Sequence, residues 1–209
     1  TSPHPAHMRD DVIAAMAECD AVMPQLHLPL QAGSTRVLKA MRRTYSQERF
    51  LALAEKVRAA MPDISLSTDI IVGFPGETEA EFLETVSVCE QVRFDGAYTF
   101  IYSPRTGTEA AGMEPDFIPA EEQQRRLRHL IDTVRGIAAE RHQRFVGRVE
   151  PVLVEGVSRK GRQRLHGRTP HNVKVNFEGD AEVGQIVPVE LVHATSESLL
   201  GRVAAPIEA

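Results

Sequence analysis

Residues 64–78, ISLSTDIIVGFPGET, constrain the fold of this chain more than any other stretch. The first half has the pattern of a buried strand: Ile64, Leu66, Ile70, Ile71 and Val72, with small polar residues between them and β-branched side chains dominant. Gly73-Phe74-Pro75-Gly76 then stops the run with a turn signal, and Thr78 stands three residues before Glu81, the spacing of a capping box. A strand therefore ends, the backbone bends on glycines, and a helix starts. Asp69 lies inside the otherwise apolar strand, where a carboxylate needs a partner because burying an unpaired charge is costly. Two readings are open for it. It bonds loop amides, or it stands at the carboxyl end of a barrel strand, where such folds keep their chemistry.

Around this stretch, strands and helices alternate. Val12, Ile13, Met16 and Cys19 recur at helical spacing. Residues 25–30 alternate, with Leu26, Leu28 and Leu30 on one side and His27, read as a packed and hydrogen-bonded histidine, on the other. Residues 31–34 form a turn, and Ser34 is the expected N-cap of a short helix through Val37, Leu38 and Met41. Arg42 and Arg43 lie at its carboxyl end, where cations suit the helix dipole. Ser46 opens a second helix with Phe50, Leu53, Ala54, Val57 and Met61 as its stripe. A third, from Thr78 to about Val92, is expected to turn Phe82, Leu83, Val86 and Cys89 inward, and residues 97–102 read as another strand. This order predicts an α/β fold with parallel strands joined by right-handed crossovers. Three strands make a small open sheet or the second half of a barrel. The abrupt start of the chain favours the half-barrel, which predicts an apolar face left uncovered along residues 8–30.

Residues 120–145 form a long polar helix with Leu127, Leu130, Ile131, Val134 and Ile137 on one stripe. After Gly147 the pattern changes to four or five short strands with glycine turns, which predicts a small antiparallel β-barrel. The boundary falls near Gln143, giving domains 1–142 and 143–209. Charge divides the same way. Residues 1–140 carry 14 Lys+Arg against 21 Asp+Glu, whereas residues 141–175 hold nine basic residues with only Glu150 and Glu155 as acids. A polyanion partner is implied for the second part alone. Arg159, Lys160, Arg162, Arg164 and Arg168 cluster around one hairpin, and Lys174 lies on the next strand, so several cations can meet one phosphate backbone. No stretch has the length of a membrane span. Cys19 and Cys89 form no CxxC pair and read as reduced thiols of a cytoplasmic protein.

Three pieces stand together in order: HLPLQAGSTRVLKAMRR, STDIIVGFPGET and TFIYSPRTGT. They closely resemble the radical S-adenosylmethionine methylthiotransferases, and the terminal module resembles the TRAM domain that ends those enzymes. Two stretches, VRFDGAYTFIYSPRTGT and GRTPHNVKVNFEG, look most like the subfamily that makes 2-methylthio-N6-dimethylallyladenosine in tRNA. The relatives that modify a ribosomal protein are less similar there. The family holds a radical-generating 4Fe-4S cluster on a CxxxCxxC motif, and a second cluster on an amino-terminal domain; this sequence has neither cysteine set. The resemblance therefore implies the second half of a partial (βα)6 barrel followed by an OB-like TRAM barrel, a part not active without the missing amino-terminal half of the same protein.

It also implies roles. Gln31, Ser34, Arg43 and Asp69 are the expected contacts of S-adenosylmethionine: Gln31 for its polar groups, Arg43 as a planar fork for a carboxylate, Asp69 for ribose hydroxyls. Ser34 is explained equally well as a cap. Tyr102 and Arg105 follow a strand end, where they face substrate or serve the loop. No residue stands out as a general base, and no metal ligand is expected. The partner implied is a tRNA anticodon stem-loop, held by backbone and shape at the basic ribbon. Two rival readings remain: ribosomal-protein methylthiolation, and a non-catalytic RNA-binding protein with a degenerate barrel.

Overall fold

The computed structural model describes residues 2–158 and 164–204. Its first part is a three-stranded parallel sheet in the order β1 (Gln25–His27), β2 (Ser65–Val72), β3 (Gly96–Ile101). Helices α1 (Asp10–Glu18), α2 (Thr35–Ala40), α3 (Gln47–Ala60), α4 (Glu79–Val92) and α5 (Ala120–His142) accompany it. Strand alternation decides which sheet face is buried. Leu26 and Leu28 of the first strand segment, and Leu66, Ile70 and Val72 of β2, lie under the helices with Phe50, Val57, Phe82 and Leu130. Each such side chain, fully withdrawn from water, contributes about 1.5–3 kcal/mol.

The other sheet face is open. Its residues include His27 on β1, Ser67, Asp69 and Ile71 on β2, and Tyr98 and Phe100 on β3, paired in register as Asp69 with Tyr98 and Ile71 with Phe100. Tyr98 is 62% exposed and Phe100 51%. The uncovered apolar surface includes this face; along residues 8–30 the expectation holds in part, since Val22 and Met23 are exposed while Met8 and Ile13 are buried in the core. One inward assignment also fails: Leu83 of α4 is 44% exposed, because it falls a residue outside the arc that buries Phe82, Val86 and Cys89.

The second part is a closed five-stranded barrel, β4 (Val149–Val157), β5 (Leu165–Arg168), β6 (Lys174–Glu178), β7 (Ile186–Ala194) and β8 (Leu199–Val203), closing in the order β4-β5-β6-β8-β7. Four pairings are antiparallel, but β6 and β8 run parallel. Val152, Val154, Val175, Phe177, Val189 and Leu199 fill it. Gly167 and Gly201 permit the close strand approach: a Cβ at either would lie 2.1–2.5 Å from a neighbouring carbonyl oxygen.

A polar latch joins the two parts at the amino edge of the sheet. Asp95, immediately before β3, takes both Arg141, at 3.2 Å, and Arg144 on Oδ1, while its Oδ2 accepts from the Leu66 amide at 2.8 Å and has Arg58 at 3.6 Å. Asp63, before β2, holds Arg148 at 2.7 Å and has the His171 ring at 3.2 Å. Phe145 is fully buried in the barrel core, with the guanidinium groups of Arg144 and Arg148 over its ring at 4.3 and 5.4 Å. Burial lowers the pKa of His171 and of His142, whose Nδ1 lies 2.7 Å from the Thr195 carbonyl.

Candidate functional site

A cleft of about 730 Å³ opens at the carboxyl edge of the sheet, opposite the latch. Gln31, Arg43, Asp69, Phe74, Tyr102 and Arg105 line it. The backbone builds it as follows. Gln31 continues β1 in the left-handed region, φ 68°, a conformation that costs a non-glycine residue roughly 1–3 kcal/mol. Two backbone bonds hold it there: its amide donates to the Asp69 carbonyl, and its own carbonyl accepts from the Ile71 amide, both at 2.8 Å. Tyr45 braces the same exit, its hydroxyl 3.1 Å from the Pro29 and Leu30 carbonyls; burial pushes that phenol up to about 12 while Arg43 pulls the other way.

After the turn, α2 is pinned against α4. The Gly33 amide donates to Thr85 Oγ1 at 2.8 Å, and a Cβ on Gly33 would lie 2.4 Å from the Thr85 Cα. Arg36 forks onto the Glu81 carboxylate and reaches the Gly76 carbonyl at 2.6 Å. Glu81 also closes the capping box with Thr78, so its pKa falls to about 2, chiefly through Arg36. This fastening places the adjacent arginines at the cleft with different fates. Arg42 is exposed and taken by Glu109 at 2.6 Å. Arg43 has no ion pair among the described residues, and its Nε is buried without a hydrogen-bond partner. The Tyr102 hydroxyl is buried and unpartnered as well; its ring is wedged against Phe74 and Phe117. Tyr102 and Arg105, which the sequence left open between substrate and loop, both line the cleft.

Asp69 turns its carboxylate to the open face, with Oδ2 3.2 Å from His27 Nε2. Gln31, Arg43 and Asp69 thus line one cleft. Ser34 does not: it is buried away from it, makes no side-chain cap to α2, and gives its hydroxyl to Glu81 at 3.4 Å. Turned toward that carboxylate, the Ser34 oxygen accepts no bond from the helix amides it was expected to cap.

The loop after β2 is held separately. Gly73, φ 72°, gives its amide to the buried Glu77 at 2.8 Å, and Arg126 bonds the Glu77 carboxylate and carbonyl, both at 2.9 Å. Burial pushes the Glu77 carboxyl up, against the pull of the Gly73 amide and Arg126. This pair is enclosed and fully partnered, so its role is to shape the turn.

On the barrel, Arg159, Lys160 and Arg162 lie outside the described residues. Arg164 and Arg168 share the outer face of the β5–β6 ribbon with Lys174, and Arg168 and Lys174 are register partners. Part of the positive charge is neutralised internally, since Arg164 pairs with Glu178 at 3.0 Å and Arg168 with Glu155 at 3.3 Å. Arg168 and Lys174 border a second cleft, of about 410 Å³, between this barrel and the amino edge of the sheet; Gln25, Ser67 and Tyr98 line its other wall.

The donor sets separate the two kinds of cofactor. Arg43, Tyr102 and Asp69 offer hydrogen-bonding atoms suited to a carboxylate and hydroxyl groups, the chemistry of S-adenosylmethionine. An iron–sulfur cluster does not fit this chain: Cys19 is exposed, burial raises the Cys89 thiol to about 12, and no cluster of three His, Cys, Asp or Glu able to hold a metal occurs among the described residues. No described helix is long and apolar enough to cross a membrane.

Residues 1–89 match the radical SAM superfamily, and residues 143–204 match the TRAM domain. A tRNA-2-methylthio-N(6)-dimethylallyladenosine synthase of Acetivibrio thermocellus is 48% identical over 97% of this chain and 42% of its own length. The protein of that name from Nocardioides sp. is 52% identical over 96% of this chain and 42% of its own length. This chain thus spans about two fifths of the length of these relatives. Among solved structures, coproporphyrinogen III oxidase from Escherichia coli matches with a TM-score of 0.54 at 19% identity, over 65% of this chain and 31% of that one, a likeness of fold.

Proposed function

We propose, for a chain that belongs to the radical SAM superfamily and joins it to a TRAM domain, the activity of its relatives: methylthiolation of N6-dimethylallyladenosine beside the anticodon of tRNA. The observation that carries this reading is the near end-to-end similarity to two synthases of that name. The relatives are more than twice as long, and in this reading the two 4Fe-4S clusters and the rest of the barrel belong to that additional length. S-adenosylmethionine, when bound, supplies the radical and the methyl group.

In the proposed mechanism the residues of this chain bind and orient. Arg43 would hold the methionine carboxylate of S-adenosylmethionine, and Asp69 would accept from its ribose hydroxyls. Gln31 and the Tyr102 hydroxyl hold further polar groups at the carboxyl edge. The outer ribbon of the TRAM barrel, with Arg164, Arg168 and Lys174, takes phosphates of the anticodon stem-loop. The target base lies at the open sheet face, where Tyr98 and Phe100 offer ring surfaces.

The experiment is anaerobic reconstitution of the full-length protein with iron and sulfide, then incubation with a low-potential one-electron reductant such as dithionite, sulfide, S-adenosylmethionine and tRNA carrying N6-dimethylallyladenosine. Nucleoside digests read by mass spectrometry should show the 2-methylthio product. Unmodified tRNA together with a modified ribosomal protein in the same assay would transfer the reading to the rival substrate.

A further inference from the structure

Four polar side chains on the open sheet face form one directed chain. They alternate along two paired strands, Gln25 and His27 on β1, Ser67 and Asp69 on β2, so strand pleating puts all of them on the same face. Gln25 Nε2 lies 3.3 Å from Ser67 Oγ, Ser67 Oγ 3.0 Å from His27 Nδ1, and His27 Nε2 3.2 Å from Asp69 Oδ2. The donor inventory fixes the direction in the neutral ring. The carboxylate only accepts, so Nε2 carries the proton. Nδ1 is then an acceptor and takes the Ser67 hydroxyl, whose oxygen accepts from the Gln25 amide. Tyr98, the register partner of Asp69, sets its ring edge-on to His27 at 5.9 Å and closes the open side of the imidazole.

We infer that His27 is a positioning residue for the cofactor cleft: it fixes one oxygen of Asp69 so that the other is presented to the ligand. This rests on the reading of Asp69 as a contact of S-adenosylmethionine. Asp69 is partly exposed, and with His27 removed its carboxylate is free to rotate about χ2. Holding one oxygen spares that ordering cost when the ligand binds. Ser67 acts one step further out by selecting the tautomer that can donate to Asp69.

The test is calorimetric titration of S-adenosylmethionine into the holoenzyme, with thermal midpoints recorded in parallel. His27→Leu should weaken binding by about three- to tenfold, the scale of one ordinary hydrogen bond, because the partly exposed carboxylate keeps water as a partner. His27→Gln, which can still donate to Asp69, should recover most of that loss; a merely packed histidine would not show this rescue. Ser67→Ala should weaken binding by a smaller factor, and it decides the matter if His27→Leu does not fold. In an Asp69→Ala background, His27→Leu should cost nothing further. Additive losses, or wild-type affinity in both His27→Leu and Ser67→Ala, overturn the inference while leaving Asp69 as a contact. Wild-type affinity in Asp69→Ala overturns the reading of the cleft, and the role of His27 falls with it.

Discussion

The two edges of one small sheet use the same residue types to opposite ends. At the amino edge, Asp95 is 6% exposed and surrounded by Arg58, Arg141 and Arg144, with the Leu66 amide on its second oxygen. At the carboxyl edge, Arg43 and Tyr102 keep buried polar atoms without partners, and Asp69 is bonded through one oxygen only. Arginines that share a buried carboxylate hold parts together, even where single nitrogens such as Arg58 Nε and Arg141 Nη2 stay unbonded. Charges left short of partners, in a cleft, have capacity for a ligand. Arg42 and Arg43 make the same distinction between neighbours in sequence: the first has Glu109, the second has none among the described residues.

Substitutions at the two edges should separate stability from binding. The largest effect is expected at the amino edge. Asp95→Ala leaves three largely enclosed guanidinium groups without their shared carboxylate, and the loss should be about 3 kcal/mol in chemical denaturation. A loss below about 1 kcal/mol would mean that water or another carboxylate satisfies the arginines, and the contrast between the edges would fail. Next, Arg43→Ala should leave stability within about 0.5 kcal/mol, yet weaken S-adenosylmethionine binding at least about tenfold in the holoenzyme. Arg42→Ala should change neither by a measurable amount, because an exposed pair is worth only about 0–1 kcal/mol. Equal effects of the two arginines on affinity would erase the distinction.

The smallest effect concerns acid. The folded pKa of Glu81, about 2, lies below its ordinary value of 4.5. Its pairing with Arg36 therefore stabilises fully above about pH 4.5 and is lost as pH falls toward 2. Arg36→Met should remove about 1 kcal/mol at neutral pH, discounted because the guanidinium is half exposed, and should flatten stability below pH 4.5. An unchanged acid slope would locate that dependence in other carboxylates.

Local rules made much of the fold legible. The capping box at Thr78 and Glu81, the buried alternation through Leu66, Ile70 and Val72, and the Ser46 cap of α3 are set by neighbours within a few residues. Where the outcome depended on distant groups, the sequence was silent. Ser34 has the composition of a cap, but Glu81, 47 residues later, takes its hydroxyl. The arginines at 141, 144 and 148 read as part of a basic, RNA-facing excess. They are instead engaged by Asp63 and Asp95, which no spacing rule connects to them. Tyr102 could be placed after a strand, but its lack of a hydroxyl partner is visible only in three dimensions.

The latch has a consequence for substrate choice. It fixes the basic ribbon near the amino edge of the sheet while the cleft opens at the carboxyl edge, and the eight residues of β2 between them span about 26 Å. In the proposed function one RNA lies on the ribbon and carries its target base across the open sheet face, past Phe100, to the cofactor, so the second contact is made at an effective concentration set by that span rather than by bulk solution. A stiff spacing of this kind is a ruler. In that proposed function it favours a folded stem-loop whose phosphates and target base are separated by the matching distance, and it selects by length.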